Sequence, residues 1–167
     1  PILVVAITIK LESRGPAIYY SKRVGKNKNI FLMPKFRSMK INTPQVATNL
    51  LNNSKNYITK FGNFIRKTSL DEIPQLFSIL KGDMTFVGPR PALFNQYDLI
   101  NLREKFGLNI LTPGLTGWAQ VNGRDELSIS QKVKIELFYK KNQSIILDLK
   151  ILYLTFLKVI KMKDVKH

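Results

Sequence analysis

Two adjacent carboxylates, Asp71 and Glu72, are the residues of this chain best suited to chemistry. They are the first acidic residues after the stretch from Ser13 to Leu70, which holds twelve lysines and arginines and no Asp or Glu. Cations of this kind hold phosphate oxygens, while a carboxylate pair can hold a hard divalent cation or attack phosphorus. The pair and its basic surroundings therefore indicate a site for a polyanion together with a metal ion.

The composition excludes several other kinds of catalytic group. The 167 residues include no cysteine, which excludes disulfides, thiolate metal sites and a cysteine nucleophile. The one histidine is the last residue, His167, so neither a histidine general base nor a Ser-His-Asp triad is expected. Acid, base or nucleophilic chemistry must then rest on carboxylates, hydroxyls or lysines.

The charge of the chain predicts an acidic partner. The net charge is +16 and the pI is about 10.1, and most of the positive surplus lies in the first 70 positions, which hold 13 basic residues and one acidic residue. Nucleic acid, an anionic membrane surface and a phosphorylated substrate would each satisfy that charge. The length and the 44% hydrophobic content predict one domain with a sizeable core.

A structural role for Glu72 competes with the chemical one. Ser69 and Glu72 fit the S-x-x-E capping box, in which the glutamate folds back onto the serine amide. In that register Pro74 occupies the fifth helical position; in the alternative it takes the first, and Asp71 lies in the approach to the helix. Both registers place the carboxylates at the positive end of a helix running to about Leu80, which favours an ionised carboxylate and also suits a phosphate.

A β-hairpin is expected to deliver cations to this region. Residues 17–24 and 30–36 are rich in Ile, Tyr, Phe and Val, and the polar residues 25–29 form a five-residue connection between them. Strand side chains repeat every two residues, so Lys35 and Arg37 share one face. That face could grip a diphosphate or could be the solvated side of the hairpin.

Two further stretches have the character of ligand-binding segments. Pro89 and Pro91 hold Arg90 in an extended turn, which prepares its guanidinium to fork onto phosphate oxygens. Residues 111–124 hold three glycines, a proline and the sole tryptophan, and predict a loop with unusual backbone angles. Such loops on a rigid scaffold often bind ligands.

Helical periodicity marks four stretches: 57–67, 95–106, 128–140 and 144–162. Residues 41–55 predict a loop with at most one helical turn. The last helix has a continuous apolar arc of about 160° with lysines opposite, so it either packs on the domain or lies in a membrane interface.

The apolar residues 2–9 near the start of the chain are too few to cross a bilayer, which needs roughly 20, and they lack the features of a signal peptide. We expect them to be the end of a longer hydrophobic segment; an ordinary buried strand or helix is the alternative.

Five blocks of sequence together resemble the bacterial sugar transferases, the monotopic phosphoglycosyl transferases. They occur in order over nearly the whole chain: Lys-Phe-Arg-Ser-Met at 35–39, Arg-Lys-Thr-Ser-Leu-Asp-Glu-Ile-Pro-Gln-Leu at 66–76, Gly-Asp-Met at 82–84 with Val-Gly-Pro-Arg-Pro at 87–91, Pro-Gly-Leu-Thr-Gly-Trp-Ala-Gln-Val-Asn-Gly-Arg at 113–124, and Asp-Leu-Lys-Ile-Leu at 148–152.

The resemblance implies an enzyme that moves a sugar-1-phosphate from a UDP-sugar to a polyprenyl phosphate and releases UMP. In this family Asp71 would be the nucleophile that forms a covalent phosphosugar intermediate, and Glu72 would assist it at a Mg²⁺ site formed with Asp71. The residues implied to bind substrate or phosphate are Lys35, Arg37, Arg66, Arg90, Gln120 and Arg124. Glu136 stands where many members have aspartate, and no catalytic role is assigned to it.

The fold expected on these grounds is α+β, a mostly helical single domain with a small β-hairpin, spanning residues 1–167 at a membrane interface. Pro1 matches the proline that breaks the family's re-entrant helix. Residues 1–11 are therefore expected to be the remnant of a truncated re-entrant helix, and residues 144–163 an amphipathic C-terminal helix. The implied location is the bacterial inner (cytoplasmic) membrane, with the catalytic domain facing the cytoplasm; an oligomer is possible.

Two functions of other classes compete with the enzyme. The charge would suit a basic nucleic-acid-binding module, but aromatic residues are not interleaved with the basic ones as a stacking platform requires, and no recognition motif is present, so no nucleic-acid partner is expected. A non-catalytic membrane-surface module would keep the basic and amphipathic features without needing Asp71.

Overall fold

The computed structural model describes residues 2–44, 56–123 and 126–160. The helices are α1 (Ile2–Glu12), α2 (Lys60–Lys67), α3 (Leu76–Leu80), α4 (Tyr97–Lys105), α5 (Trp118–Val121), α6 (Ile129–Lys141) and α7 (Ile145–Ile160). The strands are β1 (Ile18–Val24), β2 (Ile30–Phe36), β3 (Thr85–Val87), β4 (Ala92–Leu93) and β5 (Gly114–Thr116). Short 3₁₀ helices cover Lys26–Lys28, Leu70–Gln75 and Leu108–Ile110. The expected α+β class, mostly helical with a small hairpin, is confirmed.

The hairpin of β1 and β2 forms where the sequence predicts it. The strands pair antiparallel from Val24 opposite Ile30 to Ile18 opposite Phe36, and the connection holds the 3₁₀ turn Lys26–Lys28. The short strand β4 pairs with the other edge of β1, giving the order β2-β1-β4. This third strand carries the chain from the Arg90 turn directly onto the hairpin.

A second, parallel sheet of β3 and β5 was not anticipated, and it corrects the prediction for residues 111–124. That stretch contains β5 and the short helix α5 rather than an irregular loop. Gly114 and Gly117 do not have positive φ values; among the three glycines only Gly123 does. A Cβ on Gly114 would lie 2.1 Å from the amide nitrogen of Gly88, and one on Gly117 would lie 2.1 Å from the Gly88 carbonyl oxygen. These two glycines are required by close backbone approach, not by unusual angles.

The predicted helices are present with shifted ends. α2 begins at Lys60 rather than Tyr57, because the Thr59 hydroxyl caps it by accepting from the Gly62 amide. α6 begins after Ser128, which forms a capping box with Gln131. Of the predicted loop 41–55, residues 45–55 lie outside the described part of the chain, as do residues 161–163 of the predicted last helix.

α1 buries one narrow stripe and exposes the rest of its apolar surface. Val5 and Ile9 pack with Ala17, Phe36 and Ile65 in a core beneath the hairpin. Other apolar side chains of the helix are exposed: Ile2, Leu3, Val4, Ile7 and Leu11. The alternative interpretation of these residues as an ordinary buried helix thus holds for one face only.

α7 turns its predicted apolar arc outward. Ile151 is fully buried against Val121 and Tyr139, whereas a larger set on the opposite side is exposed: Ile145, Ile146, Leu149, Leu152, Tyr153, Phe156, Val159 and Ile160. Lys150 lies over the Trp118 ring, 5.7 Å from its centroid. No helix within residues 2–44, 56–123 and 126–160 is both long and apolar enough to cross a bilayer.

A buried tyrosine ties α6 to α7, and its titration gives a testable pH dependence. The Tyr139 hydroxyl donates to Asp148 at 2.8 Å; burial, followed by this hydrogen bond, raises the pKa of Tyr139 above its ordinary value of 10.0. The native state therefore holds this proton more tightly than the unfolded chain does. The stability that the protonated Tyr139 hydroxyl contributes is fully present below pH 10 and is lost as the pH rises toward the native pKa.

Replacing Tyr139 with phenylalanine is expected to lower the free energy of unfolding by about 1 kcal/mol at pH 8, the usual value for one hydrogen bond. Urea denaturation at pH 8 and pH 11 checks this. The stability difference between the original protein and Tyr139→Phe should shrink at the higher pH, and a difference that grew would contradict the assignment.

Candidate active site

The segment that carries the two carboxylates is a 3₁₀ helix, Leu70–Gln75, followed by α3. Ser69 precedes it in the left-handed region, with φ of 57°, and makes no side-chain cap. A capping serine needs extended backbone angles, so the predicted capping box is wrong. Pro74 occupies the fifth position of the 3₁₀ helix, so the first of the two predicted registers is confirmed even though its capping box is absent, and the alternative register, with Pro74 first, is wrong. The predicted end at Leu80 is confirmed.

Glu72 joins two cations that come from distant parts of the chain. Its Oε1 accepts from Lys35 Nζ of β2 at 2.8 Å and from Arg90 of the proline-flanked turn at 3.0 Å. The structure therefore brings into contact three residues that the sequence singled out separately, Lys35, Glu72 and Arg90. The hairpin and the turn place both cations against the 3₁₀ helix.

Asp71 lies beside Glu72 but in a different environment. It is 9% exposed, and its carboxylate makes no hydrogen bond to the part of the chain that the structure describes. Burial, reinforced by the neighbouring Glu72 charge, raises the pKa of Asp71, while Lys35, Arg66 and Arg90 oppose that shift. Within the described residues its carboxylate therefore accepts no hydrogen bond, although three positive charges act on it.

The cations of the site are themselves crowded. Burial lowers the pKa of Lys35, and burial together with the nearby Arg90 charge lowers the pKa of Arg23 to about 10. Arg23 of β1 is a member of the site that the sequence did not single out. Four cations, namely Lys35, Arg66, Arg90 and Arg23, interact with two carboxylates, so a bound anion would relieve their mutual repulsion.

A cavity of about 290 Å³ opens beside this cluster. Its polar lining includes Glu72 and Arg90 from the cluster and Lys67, Gln120, Thr155 and Lys158 from elsewhere. Its remaining walls are mainly apolar and come from the 3₁₀ helix, α3, β3, β5, α5 and α7: Ile73, Leu76, Phe86, Leu115, Val121, Leu152 and Val159. Asp71 does not line the cavity, so Glu72 is the carboxylate that faces it.

Gln120 is the polar group of this cavity with the greatest unmet hydrogen-bonding capacity. Its side-chain oxygen and nitrogen are both buried, and neither has a hydrogen-bond partner in the part of the chain that the structure describes. Such a group carries a desolvation penalty of about 1–3 kcal/mol unless a ligand satisfies it. Gln120 thus lies in α5 and lines the cavity, and its role in binding substrate stays a prediction.

Replacing Gln120 with leucine is expected to raise the free energy of unfolding by about 1 kcal/mol, because it removes an unsatisfied buried amide at nearly constant volume. It should also raise the KM for a ligand that uses that amide. Denaturation midpoints and substrate titrations check both effects. A variant that is less stable and binds unchanged would show that the amide has a structural partner instead.

The structure separates Arg37 from the remaining predicted site residues. Its guanidinium donates to the carbonyl oxygens of Arg14 and Ser13, after the end of α1, at 2.5 and 2.8 Å. It therefore holds α1 to the hairpin instead of joining Lys35 at Glu72. Arg66 interacts electrostatically with Asp71, whereas Arg124 lies outside the described residues.

The carboxylate pair has the chemistry to hold Mg²⁺. This ion is commonly bound by one or two carboxylates together with substrate phosphates, and the Asp71 carboxylate, to which none of the described residues donates a hydrogen bond, lies next to Glu72. Among the described residues no cluster of three or more acidic or histidine side chains could form an all-protein site. Phosphate oxygens would therefore have to complete the coordination.

Comparison with known proteins agrees with the sequence resemblance. A profile of the family described as bacterial sugar transferase matches residues 1–162. The chain is similar to the uncharacterized sugar transferase EpsL of Bacillus subtilis (38% identity, covering 99% of this chain and 81% of EpsL). It is also similar to the galactosyl transferase CpsE of Streptococcus agalactiae (41% identity, 87% of this chain and 35% of CpsE).

A further relative is the UDP-glucose:undecaprenyl-phosphate glucose-1-phosphate transferase of Escherichia coli, with 40% identity over 92% of this chain and 35% of the relative. The chain thus spans about a third of the length of CpsE and of this enzyme, and most of EpsL. The match of the profile to nearly every residue shows the family directly. The chain belongs to the bacterial sugar transferase family.

Proposed function

We propose that this chain transfers a sugar-1-phosphate from a UDP-sugar to a polyprenyl phosphate and releases UMP. The observation that carries the proposal is the carboxylate pair: none of the described residues hydrogen-bonds the Asp71 carboxylate, and Glu72 is held by Lys35 and Arg90 at the edge of a cavity. The names of relatives, such as the glucose-1-phosphate transferase of Escherichia coli, support the same class of donor and acceptor.

The proposed reaction has two displacements at one phosphorus. An Asp71 carboxylate oxygen attacks the phosphorus that bears the sugar, the bond between that phosphorus and the bridging oxygen breaks, and UMP leaves with the electron pair. An oxygen of polyprenyl phosphate then attacks the same phosphorus and releases the Asp71 carboxylate. The product is a polyprenyl diphosphate sugar, in the first membrane step of a bacterial surface glycan pathway.

The side chains around Asp71 have separate parts in this scheme. Lys35, Arg66 and Arg90 favour the ionised form of Asp71 against its burial, and Arg90 is placed to fork onto diphosphate oxygens. Glu72 orients Lys35 and Arg90 through the two hydrogen bonds to its Oε1. Mg²⁺, held by Asp71 and Glu72, would spread the negative charge of the diphosphate.

The cavity walls and the exposed helical faces support a lipid acceptor. Most of the cavity lining is apolar, and Lys67 and Lys158 are the basic residues outside the Glu72 cluster that line it. An amphiphile with a phosphate head and a hydrocarbon tail fits such a lining. The outward apolar faces of α1 and α7 suit attachment to the cytoplasmic side of the bacterial inner membrane.

The test is a panel of UDP-sugars, each incubated with the protein, Mg²⁺ and undecaprenyl phosphate in detergent or lipid. One sugar should release UMP in a Mg²⁺-dependent reaction and yield a lipid-linked phosphosugar. Radiolabel in the sugar should appear transiently on the protein when the acceptor is omitted. Absence of UMP across a broad panel would exclude the proposal.

A further inference from the structure

A buried ion pair joins α4 to α6 and contacts the Arg90 turn. Arg103 of α4 donates to Glu136 of α6 through two parallel bonds, Nε to Oε2 at 2.8 Å and Nη2 to Oε1 at 2.6 Å. Arg103 is 9% exposed and Glu136 is 2% exposed. Both groups are thus held in a fixed geometry inside the domain.

The same arginine also reaches the turn that carries Arg90. Arg103 Nη2 donates to the Arg90 carbonyl oxygen at 3.0 Å. Arg23 of β1 donates to the next carbonyl, that of Pro91, at 3.1 Å. Two consecutive carbonyls of the turn are therefore bound by guanidinium groups from two different elements.

These contacts determine where the Arg90 side chain can reach. Pro89 and Pro91 restrict the turn locally, but they do not fix its orientation relative to the 3₁₀ helix. The hydrogen bonds to the two carbonyls fix that orientation, and the Arg90 guanidinium then lies 3.0 Å from Glu72. A buried charge pair contributes little net stability compared with apolar residues of similar volume, so stability alone does not account for it.

We propose that the Arg103–Glu136 pair is a positioning device, which orients the Arg90 backbone so that its side chain meets the diphosphate of the donor. Arg103 and Glu136 touch no reacting atoms in this scheme and act only through Arg90. The inference rests on the proposed phosphate-binding role of Arg90. Arg23 contributes a second anchor to the same turn.

The central variant replaces both partners, Arg103→Met with Glu136→Leu, so that no unpaired charge stays buried. It removes the bond to the Arg90 carbonyl. Misplacement of a substrate-binding group by about 1 Å can cost up to about 100-fold in rate, so kcat/KM for UMP release should fall about 10- to 100-fold. The same pair of changes in an Arg90→Ala background should alter kcat/KM by less than about twofold, because nothing is left to position.

The matched control removes a neighbouring exposed ion pair, Lys28–Glu104, which also joins α4 to another element. Lys28→Met with Glu104→Leu should leave kcat/KM unchanged. Arg103→Lys is a second test variant, which keeps a charge opposite Glu136 but cannot supply the planar fork. Arg103→Lys replaces the double variant in the experiment if the double variant does not fold, and it should also lower kcat/KM.

Spectra of protein with ¹⁵N-labelled arginine give a readout that does not depend on activity. The Arg90 side-chain signal, assigned by its loss in Arg90→Ala, should shift in a folded Arg103 variant. Unchanged Arg90 signals, or an activity loss of equal size in the Arg90→Ala background, would overturn the inference. If the original protein releases no UMP with any UDP-sugar, the proposed function fails, and these spectra alone decide whether Arg103 positions Arg90.

Discussion

Replacing Asp71 with asparagine is expected to abolish both UMP release and transient labelling of the protein, with a loss of at least about 1,000-fold in kcat. The amide retains the size of the carboxylate but not its nucleophilic oxygen, and no cysteine or internal histidine is available to replace it. Radiolabelled donor incubated without acceptor, followed by denaturing electrophoresis, measures the covalent intermediate.

The same variant should not be less stable at neutral pH. Because the pKa of Asp71 is raised in the folded state, the native protein loses stability as the pH rises from about 4 through that raised pKa. Asparagine does not titrate, so Asp71→Asn should match or exceed the original protein in denaturant midpoint at pH 7 and lose any advantage below pH 4.

Glu72→Gln is the matched comparison for Asp71→Asn. It retains the shape of the neighbouring side chain but weakens the bonds to Lys35 and Arg90. It should slow the reaction while still allowing a labelled intermediate. Labelling that survives in Asp71→Asn and disappears in Glu72→Gln would transfer the nucleophilic role to Glu72, the carboxylate that faces the cavity.

Replacing Gly114 with alanine is expected to lower the free energy of unfolding by about 3 kcal/mol or more. The added Cβ would lie 2.1 Å from the Gly88 nitrogen and 2.5 Å from the Thr116 oxygen. Both atoms belong to backbone, so neither can rotate away. The parallel pairing of β3 with β5 would have to open, and UMP release should fall with it because β5 lines the cavity.

Gly82→Ala is the control for this prediction. Gly82 has φ of +87° but no atom within 4 Å of the added Cβ. Its replacement therefore incurs the backbone strain of a left-handed residue, about 1–2 kcal/mol, without a steric clash. Urea denaturation of the two variants separates the effects. If both lose the same stability, close approach is not the reason for glycine at position 114.

Much of the fold follows from local patterns that a single sequence displays. The alternation of residues 18–24 and 30–36 gives the hairpin, and helical periodicity gives α4, α6 and α7. The pairing of β3 with β5 does not follow, because each strand has three residues and the contact joins positions 29 residues apart. Strands that short have no detectable period.

Some residues of the candidate site could be predicted from the sequence and others could not, and the physical reason differs between the two groups. Asp71, Glu72, Lys35 and Arg90 stand out by charge and by position next to prolines or strand ends. Arg103 and Glu136 do not, because each lies in an ordinary amphipathic helix and only the packing of α4 on α6 brings them together. Arg37 is a different case, since its sequence neighbours suggested phosphate binding, whereas in the structure its guanidinium donates to the carbonyls of residues 13 and 14.

The exposed apolar face of α7 has a consequence for the electrostatics of the cavity. That helix contributes Thr155 and Lys158 to the cavity wall, together with Leu152 and Val159 from the edge of its exposed face, so the wall is at most one helix thick, about 10 Å. In physiological salt the screening length is about 8 Å. If the exposed face rests on an anionic bilayer, the surface charge of that bilayer lies barely more than one screening length from a phosphate in the cavity. The lipid composition beneath α7 would then influence how strongly Lys67, Lys158 and Arg90 hold an anionic substrate.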